Sequence, residues 1–233
     1  MEKLSVKECL SFGWKTFWSR PWLFVLAGVI VFAVNAVFSV PEEILNSASE
    51  AAGGSVAAQL AIFSFAFSLI GFIVSVYVQM GTTRFSLKAH DDVSTAHVRD
   101  LVLLKGFWRY LGTSVLVFLA VVAGLILLIV PGIILALALS FALYLSVDTG
   151  LGPVAALKES LAMTKGHRWS LFVLTLALIG INLLGMLALL IGLVVSIPVS
   201  MLASVHAYRW LQARRAEPSI EIVVEQETAT AVA

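Results

Sequence analysis

Between Leu111 and Val147 the chain runs for 37 residues without a charged side chain. A bilayer core about 30 Å thick is crossed by about 20 residues of helix, so this run holds two crossings and a turn. Pro131–Gly132 stands near its middle, and Pro-Gly is a strong turn signal. The expected spans are about 110–129 and 131–147. From Trp169 to Tyr208 another 40 residues hold His206 as their one titratable group, and they too must fold in two. Gly192 and Pro198 bracket the expected bend, giving spans of about 169–192 and 195–211. Pro198 then falls in the first turn of the last helix, where a missing N–H costs little.

Two further apolar runs precede these, "PWLFVLAGVIVFAVNAVFSV" at 21–40 and "AAQLAIFSFAFSLIGFIVSVYVQM" at 57–80. The stretch between them, "PEEILNSASEAAGGS", reads as a solvated loop. Composition agrees with membrane residence. The chain is 60% hydrophobic and 12% charged, with a mean hydropathy of +1.00, whereas soluble domains carry about 25% charged residues. The N-terminus has charge scattered through the place where a cleavable signal needs its apolar region, so the first span is expected to stay attached. The sequence therefore predicts an all-α membrane protein over 1–212. Its six transmembrane helices form three hairpins, each preceded by a cytosolic amphipathic segment. A disordered cytosolic tail is expected over 213–233.

Charge gives an independent test of that topology. All 15 Lys and Arg residues lie in the N-terminal segment, in the 81–109 and 148–168 loops, and at the C-terminal end. Six spans put every one on the same side, and basic residues favour the cytoplasmic face. Both termini are then cytoplasmic, in a cytoplasmic (inner) membrane. Trp14, Trp18, Trp22, Trp108, Trp169 and Trp210, with Tyr77, Tyr110, Tyr144 and Tyr208, fall near that same boundary, where an apolar ring and a polar tip are both satisfied.

The cytosolic segments have helical periodicity. Val6, Leu10, Trp14, Phe17 and Trp18 form one face of a helix expected to lie in the interface plane. Pro153 suits the start of another helix, Val154, Leu157 and Leu161 share a face, and Gly166 suits its C-cap. "KECL…RPWLFVL" and "KESL…HRWSLFVL" resemble each other as openings of the first and third units, a weak internal repeat.

Chemistry-bearing groups are sparse. No Asp, Glu or Lys lies inside an expected span, and such residues mark ion-coupled transport. Asn35 and Asn182 are the strongest polar groups within spans, and interhelical hydrogen bonding is their expected role. Ser64, Ser68, Gly71 and Ser75 draw a stripe of small residues on the second span, and Ser196, Ser200 and Ser204 draw one on the sixth. Both read as packing faces. His90, Asp91, Asp92 and His97 could ligate a metal, but their spacing matches no closed zinc pattern. They read as loop residues, with no metal or cofactor expected. No Walker loop, nucleophile elbow or HExxH occurs, so an enzyme is not expected. The net charge of +1 gives no basic face for nucleic acid. Cys9 is the only cysteine, which excludes an intrachain disulfide.

What remains is the inner rim. Arg20, Lys105, Arg109, Lys165, Arg168 and Arg209 stand near tryptophans, among them Trp169, and anionic headgroups attract each basic group by about 1 kcal/mol. Anchoring and orientation alone would also place them there.

At 131–172, "PGIILALALSFALYLSVDTGLGPVAALKESLAMTKGHRWSLF" resembles a family of bacterial and archaeal membrane proteins. The family includes the membrane domain attached to some glycerophosphoryl diester phosphodiesterases and related uncharacterised six-helix inner-membrane proteins. The likeness rests on Pro131–Gly132 opening a helix, the helix end at Asp148, the "ALKES" segment and the Gly-x-Arg-Trp start of the next span. It implies six helices and no activity for this chain. The phosphodiesterase barrel is a separate domain of about 250 residues, for which the residues after the last span leave no room.

The function expected from the sequence is a non-enzymatic membrane protein that organises lipid, through anionic headgroups, or a protein partner, which a second copy of the chain could supply. The alternative is a transporter or exporter of a small or amphipathic solute without charge coupling inside the membrane.

Overall fold

The computed structural model describes residues 4–102, 106–188 and 191–231, with side chains described as far as Arg215 and not at Ile191. Among the described residues there are nine α-helices, one 3-10 turn and no strand. The helices are α1 (Val6–Ser19), α2 (Pro21–Ala51), α3 (Gly54–Asp91), α4 (Phe107–Leu127), α5 (Ile129–Ala138), α6 (Ala142–Asp148), α7 (Pro153–Met163), α8 (Arg168–Leu187) and α9 (Ile191–Ala231). The 3-10 turn is Val98–Val102.

Five helical stretches are long and apolar enough to cross a membrane: α2, α3, α4, the Ile129–Asp148 stretch made of α5 and α6, and α8. Only 11% of the apolar window of α2 and of α3 is buried inside the protein. Side chains such as Phe32, Phe63 and Phe65 point outward. Water would not tolerate that much exposed hydrocarbon, whereas lipid requires it, together with the backbone hydrogen bonding that a helix supplies internally. The chain is therefore a multi-pass membrane protein.

The first hairpin is longer than its hydrophobic runs. The expected 41–55 loop is helical instead: α2 continues through Pro41 to Ala51, and α3 starts at Gly54. Its 31 residues make α2 about 46 Å long, and the 38 residues of α3 about 57 Å, at 1.5 Å per residue. The extension holds because its polar groups find partners on the facing helix. Ser68 Oγ donates to Glu42 Oε1 (2.5 Å) and Ser64 Oγ to Asn46 Oδ1. Gly71 brings Phe38 close, its missing Cβ lying 3.5 Å from the Phe38 Cβ. Ser64, Ser68 and Gly71 thus lie against α2, while Ser75 is exposed. At the other end α3 runs on to Asp91 through residues expected to form a loop, and Gly81 leaves room for the Leu101 carbonyl of the 3-10 turn.

The second hairpin turns three residues earlier than Pro131–Gly132 suggests. Leu128 is the extended residue at the bend (φ −167°, ψ 148°), and Pro131 sits in the first turn of α5, where its fixed φ is already helical. Gly132 serves the contact between the two legs, since a Cβ there would meet Leu125. This crossing is broken at 139–141, between α5 and α6. The Ala142 N–H bonds to Leu139 O instead of Ala138 O, so the Ala138 carbonyl loses its helical donor.

Helix α7 supplies the replacement. Ser160 Oγ donates to Ala138 O at 2.8 Å, and Thr164 Oγ1 lies 3.2 Å from the same oxygen. The face that α7 buries is Ala156, Ser160 and Met163, not the expected Val154, Leu157 and Leu161, and Val154 is exposed. A serine-lined face goes inward because an orphaned carbonyl in an apolar setting needs a donor more than another Leu contact is needed. Gly166, with φ +89°, then turns the chain into α8.

In the third hairpin α8 and α9 meet through Gly185 and Gly192, whose backbones leave no space for a Cβ on either. Pro198 lies about two turns inside α9, not in its first turn. Around α9 are the buried residues Val199, Leu202, Ala203, Val205, Ala207, Tyr208 and Leu211, so both apolar clusters of the core share this helix. Its backbone is helical to Ala231, through the stretch for which composition suggests disorder. The side chains past Arg215 lie outside the described residues.

Helix α1 starts at Ser5, whose hydroxyl accepts the Glu8 N–H, the N-cap arrangement of a capping box. It docks on α9 through Gly13, where a Cβ would lie 2.5 Å from Val199 O. Its buried face is Cys9, Gly13, Thr16 and Phe17. Of the expected membrane face, Phe17 joins the core, whereas Trp14 and Trp18 stay half exposed.

Candidate functional site

Several residues singled out as cationic rim prove to be spoken for within the fold. Asp91 ends α3 and Asp148 ends α6, where a carboxylate is repelled by the partial negative charge of a helix C-terminus and calls for a cation. Arg209 of α9 bridges them. Its Nε and Nη2 reach the two oxygens of Asp91 (3.0 and 2.5 Å), and its Nη1 lies 2.7 Å from Asp148 Oδ2. Tyr208 OH and Gln212 Nε2 donate to the same Asp148 oxygen. Such forked, charge-assisted bonds fix the ends of α3 and α6 in one register on α9. Beside them Phe12 stacks on His206 and lies tilted against His90, with ring centroids 4.5 Å from each, and the two imidazoles meet at 3.1 Å. His90 and Asp91, expected to be loop residues, therefore belong to this helix-end cluster, while Asp92 and His97 are exposed. Among the described residues no group of three or more His, Cys, Asp or Glu is placed to hold a metal ion.

Arg109 donates to Gly150 O at 2.8 Å, and Arg20 reaches Val93 O and Ser94 O at 3.4 and 3.5 Å. Lys105 lies outside the described residues. Lys165 and Arg168 differ: both are exposed at the α7–α8 turn, and neither has a hydrogen-bond or ion-pair partner among the described residues. Trp169 beside them is 75% exposed and stacks on Phe172. The aromatic belt separates by residue type. Tryptophans 14, 18, 22, 108 and 169 face outward, but Tyr110 and Tyr208, expected at headgroup level, are buried among the helices.

The polar groups inside the spans stay on separate hairpins. Asn35 turns its amide onto Val31 O of its own helix. Asn182 donates to Leu178 O and, across the α8–α9 contact, to Ser200 Oγ at 3.0 Å. Ser204 bonds back to Ser200 O. Ser196 is buried, and its hydroxyl has no partner.

Sequence periodicity did not reveal the cleft beside α1. A lateral groove of about 970 Å³ opens between α1 and the α8–α9 hairpin. Leu10, Trp14 and Trp18 form its α1 side, Ile181 and Leu184 its α8 side, and Val195 and Ser196 its α9 side. Lys7 and Ser11 are its polar lip. The half-exposed tryptophans of α1 are thus the wall of a cleft and not a flat anchoring face. Cys9, on the opposite side of α1, is fully buried; burial, then the charge of Glu8, pushes its thiol up to about 11. At neutral pH it is protonated and unreactive.

The broken crossing, α7 with its two hydroxyls and the α8–α9 contact all fall within one segment, and that segment has relatives. Residues 106–215 match a family described as "Protein of unknown function (DUF975)". The DUF975 match takes in the whole 131–172 block, including Ser160 and Thr164, and also covers Arg109, Lys165, Arg168 and Arg209. It assigns no activity to any of them. No curated protein and no solved structure matches the chain.

Proposed function

We propose that the protein is a non-enzymatic, six-span protein of the cytoplasmic membrane whose inner face organises anionic lipid or a partner membrane protein. The sixth span is the apolar run of α9 over about 195–211. With six crossings all basic residues and both termini lie on the cytoplasmic side. The 131–172 likeness to the membrane domain of some glycerophosphoryl diester phosphodiesterases agrees with this layout and brings no phosphodiesterase activity with it.

The observation that carries the lipid reading is the contrast among the rim cations. Arg20, Arg109 and Arg209 reach internal acceptors, whereas Lys165 and Arg168 stand exposed beside Trp169 without a counter-ion among the described residues. A cation pair beside an outward tryptophan matches the headgroup layer in both charge and polarity. The test is lipid co-purification and native mass spectrometry of the intact protein. Lys165→Gln with Arg168→Gln should lower retention of anionic over zwitterionic phospholipid, and a wild-type protein that retains both lipids equally would sink the lipid reading.

Transport of an amphipathic solute is the second reading, motivated by the lateral groove of about 970 Å³. It requires flux in reconstituted vesicles that collapses in Asn182→Leu, the variant that removes the α8–α9 amide.

A further inference from the structure

The groove between α1 and the α8–α9 hairpin has a composition that a bilayer does not satisfy with hydrocarbon alone. Its walls are aliphatic and indole side chains, and its volume of about 970 Å³ lies at the upper end of the roughly 300–1,000 Å³ of ordinary ligand clefts. Water has no partners along such walls. Two polar features interrupt them. Lys7 lines the lip, and Lys7, Ser11 and Lys15 follow one another at four-residue spacing as a strip along α1. Both lysines are exposed and lack a partner among the described residues. Glu8, the one carboxylate on α1, acts on Cys9 on the side away from the groove. Deeper in the wall Ser196, 5% exposed, carries a hydroxyl with no acceptor, which hydrocarbon cannot supply and an ester carbonyl can.

We infer that this groove binds one anionic phospholipid, its acyl chain between Trp14, Trp18 and the α8–α9 hairpin and its phosphate against Lys7, with Lys15 adding to the positive charge along α1. The groove is open to the surroundings rather than enclosed, so a lipid reaches it without crossing the bundle. Its charge is positive at the lip and absent in the walls, the polarity order of a phospholipid from head to tail. This rests on the proposed lipid-organising function and moves the specific contact from the α7–α8 turn to α1.

The test uses the full chain in micelles holding phosphatidylglycerol and phosphatidylcholine in equal amounts, read by native mass spectrometry. The wild-type protein should retain one phosphatidylglycerol. Lys7→Gln with Lys15→Gln should lower the preference for it by about fivefold per lysine, the contribution of one cation near a membrane surface. Val195→Trp, which fills the groove, should remove the retained lipid of either kind. Because that variant could misfold, phosphatidylglycerol with brominated chains supplies a second readout. It should quench the wild-type tryptophan fluorescence more than that of Trp14→Phe/Trp18→Phe. An unchanged preference in the double lysine variant, or equal quenching in the two proteins, overturns the groove site. If the preference falls only in Lys165→Gln/Arg168→Gln, the groove site fails and the general lipid reading stands; if neither pair of substitutions changes it, both fail.

Discussion

Ser160 donates its hydroxyl to the carbonyl of Ala138 at 2.8 Å, joining the short helix α7 to the break in a membrane crossing. The carbonyl is orphaned because α5 ends at Ala138 and the next helical N–H bonds elsewhere. Thr164 lies near the same oxygen, but its single proton is shared with the Ser160 carbonyl at 2.8 Å. Ser160→Ala should therefore destabilise the protein by about 1 kcal/mol, and adding Thr164→Val should bring the loss to about 2–3 kcal/mol, because a buried carbonyl is then left unpaired. Unfolding in graded denaturing detergent measures both. A double variant as stable as the wild type would show that the break needs no external donor.

The approach of α1 to α9 is set by Gly13, whose missing Cβ would lie 2.5 Å from Val199 O. Gly13→Ala should cost about 1–3 kcal/mol, the usual penalty for overpacking. Gly13→Leu should lift α1 and expose Cys9, which is buried and whose thiol is held up at about 11. Maleimide labelling of the folded protein reads this directly: slow in the wild type, fast in Gly13→Leu. Equal rates would mean that α1 docks by other contacts.

The 3-10 turn should be acid-labile. Burial opposes ionisation of Asp100, but Lys88 Nζ at 2.6 Å and the His97 N–H at 3.0 Å hold its carboxyl below the ordinary carboxylate value. A depressed pKa contributes stability that is fully present above the unfolded value of about 3.9 and is lost as pH falls through the folded one. Amide exchange around Val98–Leu101 should be slow at neutral pH and accelerate under more acidic conditions than those that titrate a free Asp. Asp100→Asn should weaken protection at neutral pH and remove that acid step.

The proposed six-span topology makes a separate demand. Reporter fusions at Ser49 and at Thr230 should report opposite sides of the membrane, since α2 carries Ser49 across once and the C-terminus returns after the sixth crossing. Matching sides would require an even number of crossings between Ser49 and Thr230, which the six-span proposal does not allow.

Long uncharged runs located the five crossing-length stretches because hydrocarbon length has one physical solution in a bilayer. Helix extent was less legible. Residues 41–51 and 81–91 look like loops on polarity alone, yet they stay helical because Glu42 and Asn46 meet Ser68 and Ser64 across the hairpin and the helix beyond Gly81 lies against the 3-10 turn. The face of α7 misled for a related reason. Periodicity weights leucine, whereas the buried side was chosen by a carbonyl some 22 residues earlier that only a hydroxyl could satisfy. Ser160 and Thr164, four apart, were the visible trace of it. Arg209 looked like a headgroup contact because its partners, Asp91 and Asp148, are 118 and 61 residues away in sequence.

The broken fourth crossing also has a mechanical meaning. A continuous helix transmits force along its axis as one rod, but α5 and α6 are two rods meeting at a joint, and the joint is clasped from outside by α7. The exposed Lys165–Arg168 turn begins immediately after Thr164. Any force that moved that turn would act on the clasp directly, since Thr164, which reaches the Ala138 carbonyl, is its immediate neighbour in the chain.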